Sequence, residues 1–152
     1  MIPFQRFFDQ QRAAVWRFLA ASVGRDAVDD VFQETFLAAL RAYPRLRPDS
    51  NHQAWVLTIA HRKALDHHRA RGRRAVPVAD VPEIAVVDDH DGGDGTWARV
   101  RELPPKQRAA LLLRYAGDLG YPEIAAALSC SEEAARRPVH EGLKRLRVEM
   151  TA

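Results

Sequence analysis

The sequence predicts an all-α protein built from two small helical domains joined by an acidic flexible linker. Apolar residues recur at helical spacing in both halves of the chain, and no stretch of useful length alternates as a strand would. Gly and Pro residues interrupt the periodicity and divide it into helices of ordinary length. A chain of 152 residues is long enough for two such domains.

The charge of the chain is unevenly distributed. The formal net charge is +3, but residues 1–74 carry +6, residues 75–96 carry −6 and residues 97–152 carry +3. The middle segment has no Lys or Arg, contains two prolines and three glycines, and has no sustained period. It therefore predicts a linker between two basic blocks, with domain boundaries at 1–74, 75–96 and 97–152.

Three helices are expected in the first block. The first covers about residues 3–22 and the second about residues 26–42, with acidic residues in its first turn, where the helix dipole favours them. A loop with two prolines, residues 43–51, follows. The third helix covers about residues 51–72, and it begins apolar and ends heavily basic.

The second block ends in a pair of helices, about residues 121–128 and 131–148, joined by a tight turn. Ser131 is a natural N-cap for the second of them. Small Ala residues would let the two helices cross closely, which is typical of a helix-turn-helix whose second helix lies in the major groove of DNA. The alternative is a plain helical hairpin with a solvated basic face.

The third helix carries a dense run of basic residues that could neutralise several phosphates. Trp55 at its apolar start is a core residue or a platform on which an unpaired base stacks. A solvated basic face is again the alternative. The basic residues are His61, Arg62, Lys63, His67, His68, Arg69, Arg71, Arg73 and Arg74.

Several classes of function are excluded by what the sequence lacks. The single cysteine, Cys130, allows neither an internal disulfide nor a thiolate zinc site, and the histidine-rich segment is too cationic to favour a metal ion. No catalytic motif is present, so we expect neither an enzyme nor a cofactor. The N-terminal stretch lacks the apolar core of a signal peptide and no run is long enough to span a membrane, so a cytoplasmic protein is expected.

The chain resembles the extracytoplasmic-function (ECF) sigma factors, a small two-domain class of bacterial RNA polymerase specificity subunits. Three stretches, in order along nearly the whole chain, carry the resemblance: RDAVDDVFQETFLAAL, NHQAWVLTIAHRKALDHHRARGRR and LPPKQRAALLLRYAGDLGYPEIAAALSCSEEAARRPVHEGLKRLR. They are similar to the core-polymerase-binding segment, the segment that melts and reads the −10 element, and the helix-turn-helix that reads the −35 element.

The resemblance implies partners and residue roles. The partners are core RNA polymerase, through its β′ clamp helices and β flap, and promoter DNA, both as duplex and as a melted single strand. It also allows an anti-sigma factor as a further partner. The implied core-polymerase residues are Asp29, Asp30, Gln33, Glu34 and Phe36; those for the −10 element are Arg45, Arg47, Asn51, Trp55, Arg62, Lys63 and Arg69; those for the −35 element are Ser131, Arg136, Arg137, His140 and Lys144.

The chain departs from the family's pattern at three positions. Arg62 stands where Asn is usual, and Pro138 and Glu141 stand where basic residues are usual. The last two bear on −35 recognition. Two alternatives therefore stay open from the sequence: a stand-alone helix-turn-helix regulator, or a protein that binds polymerase or an anti-sigma factor and has degenerate −35 readout.

Overall fold

A computed structural model describes residues 2–74 and 96–151, and these ranges contain helices and no strand. Of the predicted linker, only Thr96 falls within them, and a helix begins there. No helix in the described part of the chain is long and apolar enough to cross a membrane. The helices are α1 (Phe4–Val23), α2 (Arg25–Ala42), a 3₁₀ turn (Tyr43–Arg45), α3 (His52–Arg74), α4 (Thr96–Arg101), α5 (Pro105–Leu111), a π-helical turn (Leu112–Ala116), α6 (Tyr121–Leu128) and α7 (Glu132–Thr151).

The first domain is a bundle in which α1, α2 and α3 pack against one another. Phe7 lies at its centre, fully buried, with the rings of Tyr43 and Trp55 at 5.1 Å and 5.7 Å. The break between α1 and α2 falls at Gly24, whose φ of 85° is a conformation that other residues rarely adopt. The glycine that predicted the break is therefore required by the backbone.

The second domain is built around α5 and α7. These helices approach closely at Gly142, where an added Cβ would lie 2.7 Å from Leu111 Cδ1. The turn after α6 passes through Ser129 in the left-handed region, with φ of 57°, and leads directly into α7. The predicted helix-turn-helix geometry, α6 followed by α7, is thus present.

Helix α7 continues without interruption through Pro138. Proline supplies no N–H, so the carbonyl of Ala134, one turn earlier, loses its intrahelical partner. Ala134 is exposed, so water can bind that carbonyl, whereas Pro138 itself is buried against the domain. The proline is therefore a packing residue on the inner face of the helix.

The two domains contact each other directly, with α1 against the π-helical turn and α4, and α3 against α6. At this seam, Gln53 Nε2 donates a hydrogen bond to the carbonyl oxygen of Gly117. The backbone of Gly117 comes so close that an added Cβ would lie 2.9 Å from Leu57 Cδ1. Across the same seam, Arg108 of the second domain lies close enough to His68 of the first to interact with it electrostatically.

Candidate functional site

The exposed face of α2 combines acidic and apolar side chains. The polar residues predicted for this face, Asp29, Asp30, Gln33 and Glu34, are all exposed. Leu37 and Leu40 lie on the same face and are 52% and 49% exposed. Helical spacing places Leu37 at the middle of this acidic-apolar face. An apolar centre with a charged rim is the usual anatomy of a protein–protein interface.

Phe36 does not lie on that face. It is 7% exposed, and its ring packs 4.8 Å from Phe8 and 4.9 Å from Phe32. The structure therefore places Phe36 inside the bundle, where its ring packs between α1 and α2. Leu37 and Leu40 were not among the residues predicted to bind core polymerase, although helical spacing places both beside Gln33 on this face.

A groove of about 610 Å³ runs between α2 and α3. Asp30 and Glu34 line it on one side and Lys63 and Arg71 on the other. The groove therefore joins the acidic-apolar face to the basic side of α3. It gives the first domain two adjoining surfaces of opposite charge.

The residues predicted for the −10 element gather around the start and the outer side of α3. Arg45, the last residue of the 3₁₀ turn, and Arg47 are exposed. Asn51 caps α3, since the Ala54 N–H donates to Asn51 Oδ1 at 2.9 Å. Further along α3, Arg62 and Arg69 are exposed.

Helical spacing puts Trp55, Arg62 and Arg69 on one stripe of α3. Trp55 is half-buried, and its ring lies 5.7 Å from Phe7 and 6.4 Å from Tyr43. It therefore belongs to the edge of the aromatic core and also reaches the surface of the stripe. The basic guanidinium of Arg69 lies 3.8 Å from Asp66, in an exposed pair.

Two histidines of the basic run do not contribute charge to this surface. His61 is 7% exposed, and burial, together with the neighbouring Arg62, lowers its pKa to about 4. Burial and Arg108 of the second domain also lower the pKa of His68. Both imidazoles are neutral at pH 7, so the positive charge of α3 comes from its Arg and Lys residues.

The residues predicted for the −35 element occupy the outer side of α7. Ser131 caps the helix, since the Ala134 N–H donates to Ser131 Oγ at 3.0 Å. Beyond the cap, four exposed residues fall within about 100° of arc around the helix axis. They are Arg136, Arg137, His140 and Lys144. A single basic face of this kind suits the negatively charged major groove of DNA.

The two residues of α7 that depart from the family's pattern, Pro138 and Glu141, lie on different sides of the helix. Pro138 is buried and lies on the opposite side of the helix from the basic face. Glu141 is exposed and lies beside the basic face. Of these two residues, Glu141 is therefore the one whose side chain could contact DNA.

Comparison with known proteins identifies both domains. Residues 7–74 match the family model for sigma-70 region 2, and residues 96–146 match that for sigma-70 region 4. The ECF RNA polymerase sigma factor SigD of Mycobacterium tuberculosis is 35% identical over 156 residues, which cover 93% of this chain and 74% of SigD. The chain belongs to the ECF sigma factors. As such it is an RNA polymerase sigma factor for promoter-specific transcription, whose partners are core RNA polymerase and promoter DNA.

Other relatives and structures agree. The ECF sigma factor SigX of Bacillus subtilis is 27% identical, over 97% of this chain and 83% of SigX. This sigma factor shares its fold with RpoE of Bartonella quintana, solved with the anti-sigma factor NepR, at a TM-score of 0.81 and 22% identity, over 98% of this chain and 97% of RpoE. CnrH, solved with the cytosolic domain of CnrY, gives a TM-score of 0.71 at 20% identity, over 97% and 87% of the two chains. These matches do not favour the two alternatives, which were a stand-alone helix-turn-helix regulator and a polymerase- or anti-sigma-binding protein with degenerate −35 readout.

Proposed function

We propose that residues 1–74 dock on core polymerase and read the −10 element, and that residues 97–152 read the −35 element. Residues 75–96 would form the acidic linker between them. The observation that carries this division is the separation of surface types. An acidic-apolar face lies on α2, whereas exposed arginines lie on α3 and exposed arginines and a lysine lie on α7.

Core polymerase would bind the acidic-apolar face of α2. Leu37 and Leu40 would supply the apolar centre, and Asp29, Asp30, Gln33 and Glu34 the polar rim. Phe36 would act from within the bundle, since its ring packs between α1 and α2 and fixes the orientation of the face.

The melted −10 strand would lie along the stripe of α3 that begins at its capped end. The exposed guanidinium groups of Arg45, Arg47, Arg62 and Arg69, with Lys63, would bind phosphates. Asn51 and the exposed part of Trp55 would contact unpaired bases. Arg62, where the family usually has Asn, would add a phosphate contact in place of an amide.

The −35 duplex would bind the basic face of α7. Ser131, Arg136, Arg137, His140 and Lys144 would face the major groove and its phosphates. The buried position of Pro138 supports normal insertion of the helix, because that residue is turned away from the groove. Glu141 would repel a phosphate or accept a hydrogen bond from a cytosine amine.

Promoter binding would require the two domains to separate. The names of the −10 and −35 elements place them about 25 base pairs apart, or about 85 Å of duplex at 3.4 Å per pair. In the compact structure Gln53 and Leu57 of one domain touch Gly117 of the other. The compact state would therefore be inactive. An anti-sigma factor would hold it, a role supported by RpoE, which shares this fold and forms a complex with the anti-sigma factor NepR.

This sigma factor would have no catalytic activity of its own and would act in the cytoplasm, where polymerase and promoters are. Binding free energy to core polymerase and to exposed bases would drive melting.

The test is run-off transcription with purified core polymerase and a paired set of charge-neutralised variants. The double variant Asp30→Asn/Glu34→Gln should lose promoter-dependent product because its affinity for core polymerase falls. The control, Asp9→Asn/Glu102→Gln, removes two exposed acids elsewhere and changes the net charge equally. Equal activity of the two variants, or no product from the unaltered protein with any promoter pool, would refute the proposal.

A further inference from the structure

Three side chains of the second domain form a cluster around one aromatic ring. The guanidinium carbon of Arg136, on α7, lies 5.0 Å from the centroid of the Tyr121 ring, at the start of α6. The guanidinium carbon of Arg114, in the π-helical turn, lies 4.9 Å from the same centroid. Both distances are within the range of a cation–π interaction. We call these residues the arginine–tyrosine cluster.

Each residue of the arginine–tyrosine cluster is also restrained by a further contact. Arg114 Nη1 donates a hydrogen bond to the carbonyl oxygen of Leu119 at 3.0 Å. Tyr121 is half-buried against the core at the first residue of α6, and the preceding Gly120 N–H donates to Glu123 Oε1 at 3.1 Å. Glu132, one turn before Arg136, lies 3.8 Å from its guanidinium. The ring is therefore a fixed platform.

Arg136 is the member that faces outward, with its side chain 51% exposed. A long exposed side chain normally samples many rotamers, and fixing it on DNA costs conformational entropy. The Tyr121 ring and the Glu132 carboxylate reduce that freedom before DNA is present. The guanidinium is thus held over the first turns of α7, the part of a recognition helix that contacts base edges.

We propose that Tyr121 is a positioning residue for −35 recognition, which acts by holding the Arg136 guanidinium in the orientation that DNA requires. The inference rests on the proposed role of Arg136 at the −35 element. Tyr121 itself need not touch DNA. Loss of the ring should weaken duplex binding by about three- to tenfold, the range expected for one cation–π contact and one pre-ordered side chain.

The test measures binding of the full-length protein, assembled with core polymerase, to a fluorescent duplex. The probe is the duplex recovered by selecting a randomised pool on the unaltered complex. Y121F keeps the ring and should bind within about twofold of the unaltered protein. Y121L should show the full loss of duplex binding of about three- to tenfold. Y121M, which also lacks a ring, is measured in parallel, so that the test needs only one of the two variants to fold. Thermal midpoints identify the folded variants.

Double variants separate positioning from general stability. In an R136A background, Y121L should cause no additional loss, because the guanidinium it positions is gone. In an R137A background, which removes the adjacent exposed arginine, the loss caused by Y121L should persist in full. Equal losses caused by Y121L in both backgrounds, or a loss in Y121F as large as that in Y121L, would overturn the inference.

The same experiment distinguishes a failure of the proposed −35 role of Arg136 from a failure of the positioning role of Tyr121. If R136A binds the probe as well as the unaltered protein, the −35 role of Arg136 is wrong and the inference falls with it. If R136A binds more weakly but both Y121L and Y121M bind normally, only the positioning role of Tyr121 is wrong.

Discussion

The exposed faces of α2 and α7 are both polar helix surfaces, yet they differ in what lies at their centres. The α2 face has two half-exposed leucines among its acids, whereas the outer side of α7 presents Arg136, Arg137, His140 and Lys144. Apolar centres gain affinity by leaving water, and basic faces gain it by releasing counterions from DNA. The two surfaces should therefore differ in their response to truncation and to salt.

The largest effect is expected from truncating the centre of the α2 face. The double variant Leu37→Ala/Leu40→Ala should weaken binding to core polymerase by about a hundredfold, or about 3 kcal/mol, since each leucine is worth about 1.5–3 kcal/mol when fully buried. Titration of labelled variant into core polymerase measures this. Both leucines are about half exposed in the free protein, so its thermal midpoint should change little. An unchanged affinity for core polymerase would show that the two leucines are not the centre of the binding surface on α2.

The second effect concerns which residues of α3 belong to the interior. His61 has its pKa lowered to about 4 by burial, so the unfolded state binds protons that the folded state does not as pH falls from about 6.5 to 4. The unfolding free energy of the protein should therefore fall over this window relative to His61→Gln, by up to about 3 kcal/mol. Above pH 6.5 the difference between the two proteins should be constant. Denaturant titrations at several pH values measure this, and a difference that is constant throughout would place His61 on the surface.

The third effect concerns salt. Arg137→Gln/Lys144→Gln should weaken duplex binding by about tenfold and lower the slope of log affinity against log salt by about 2, one for each phosphate contact. Binding to core polymerase should not change. Arg6→Gln/Arg17→Gln removes two exposed charges from α1 and is the matched control. If the control lowers the slope equally, the effect is one of total charge, and the basic face of α7 has no special role.

The smallest effect concerns whether both DNA surfaces are available at once. Gln53→Ala removes the hydrogen bond to the Gly117 carbonyl, worth about 1 kcal/mol, and should raise the population of separated domains about fivefold. Small-angle scattering of the free protein would show this as a larger radius of gyration. Gln10→Ala, an exposed glutamine on α1, should leave it unchanged. Equal radii for the two variants would mean that this hydrogen bond does not hold the domains together.

Much of the fold follows from local rules. Ser131 predicted the start of α7 through a capping requirement, and the structure contains that cap. The helix boundaries expected near residues 24 and 51 coincide with a positive φ at Gly24 and an N-cap at Asn51. The outward positions of Asp30 and Arg136 follow from helical periodicity alone.

The rest depends on contacts between distant parts of the chain. The exposure of Leu37 and Leu40 is an exception, because helical spacing places both beside Gln33 on the polar side of α2, so periodicity could have revealed it. The burial of His61 and the seam between Gln53 and Gly117 depend on how the domains pack, so neither could be predicted from local sequence.

The most direct test of the assignment of the two surfaces is site-specific photocrosslinking in the assembled initiation complex. A photoreactive amino acid is placed at position 37 in one protein and at position 144 in another, and each is irradiated with core polymerase and promoter DNA. We predict that position 37 crosslinks to a polymerase subunit and position 144 to the DNA. Crosslinking of position 37 to DNA, or of position 144 to polymerase alone, would contradict the assignment.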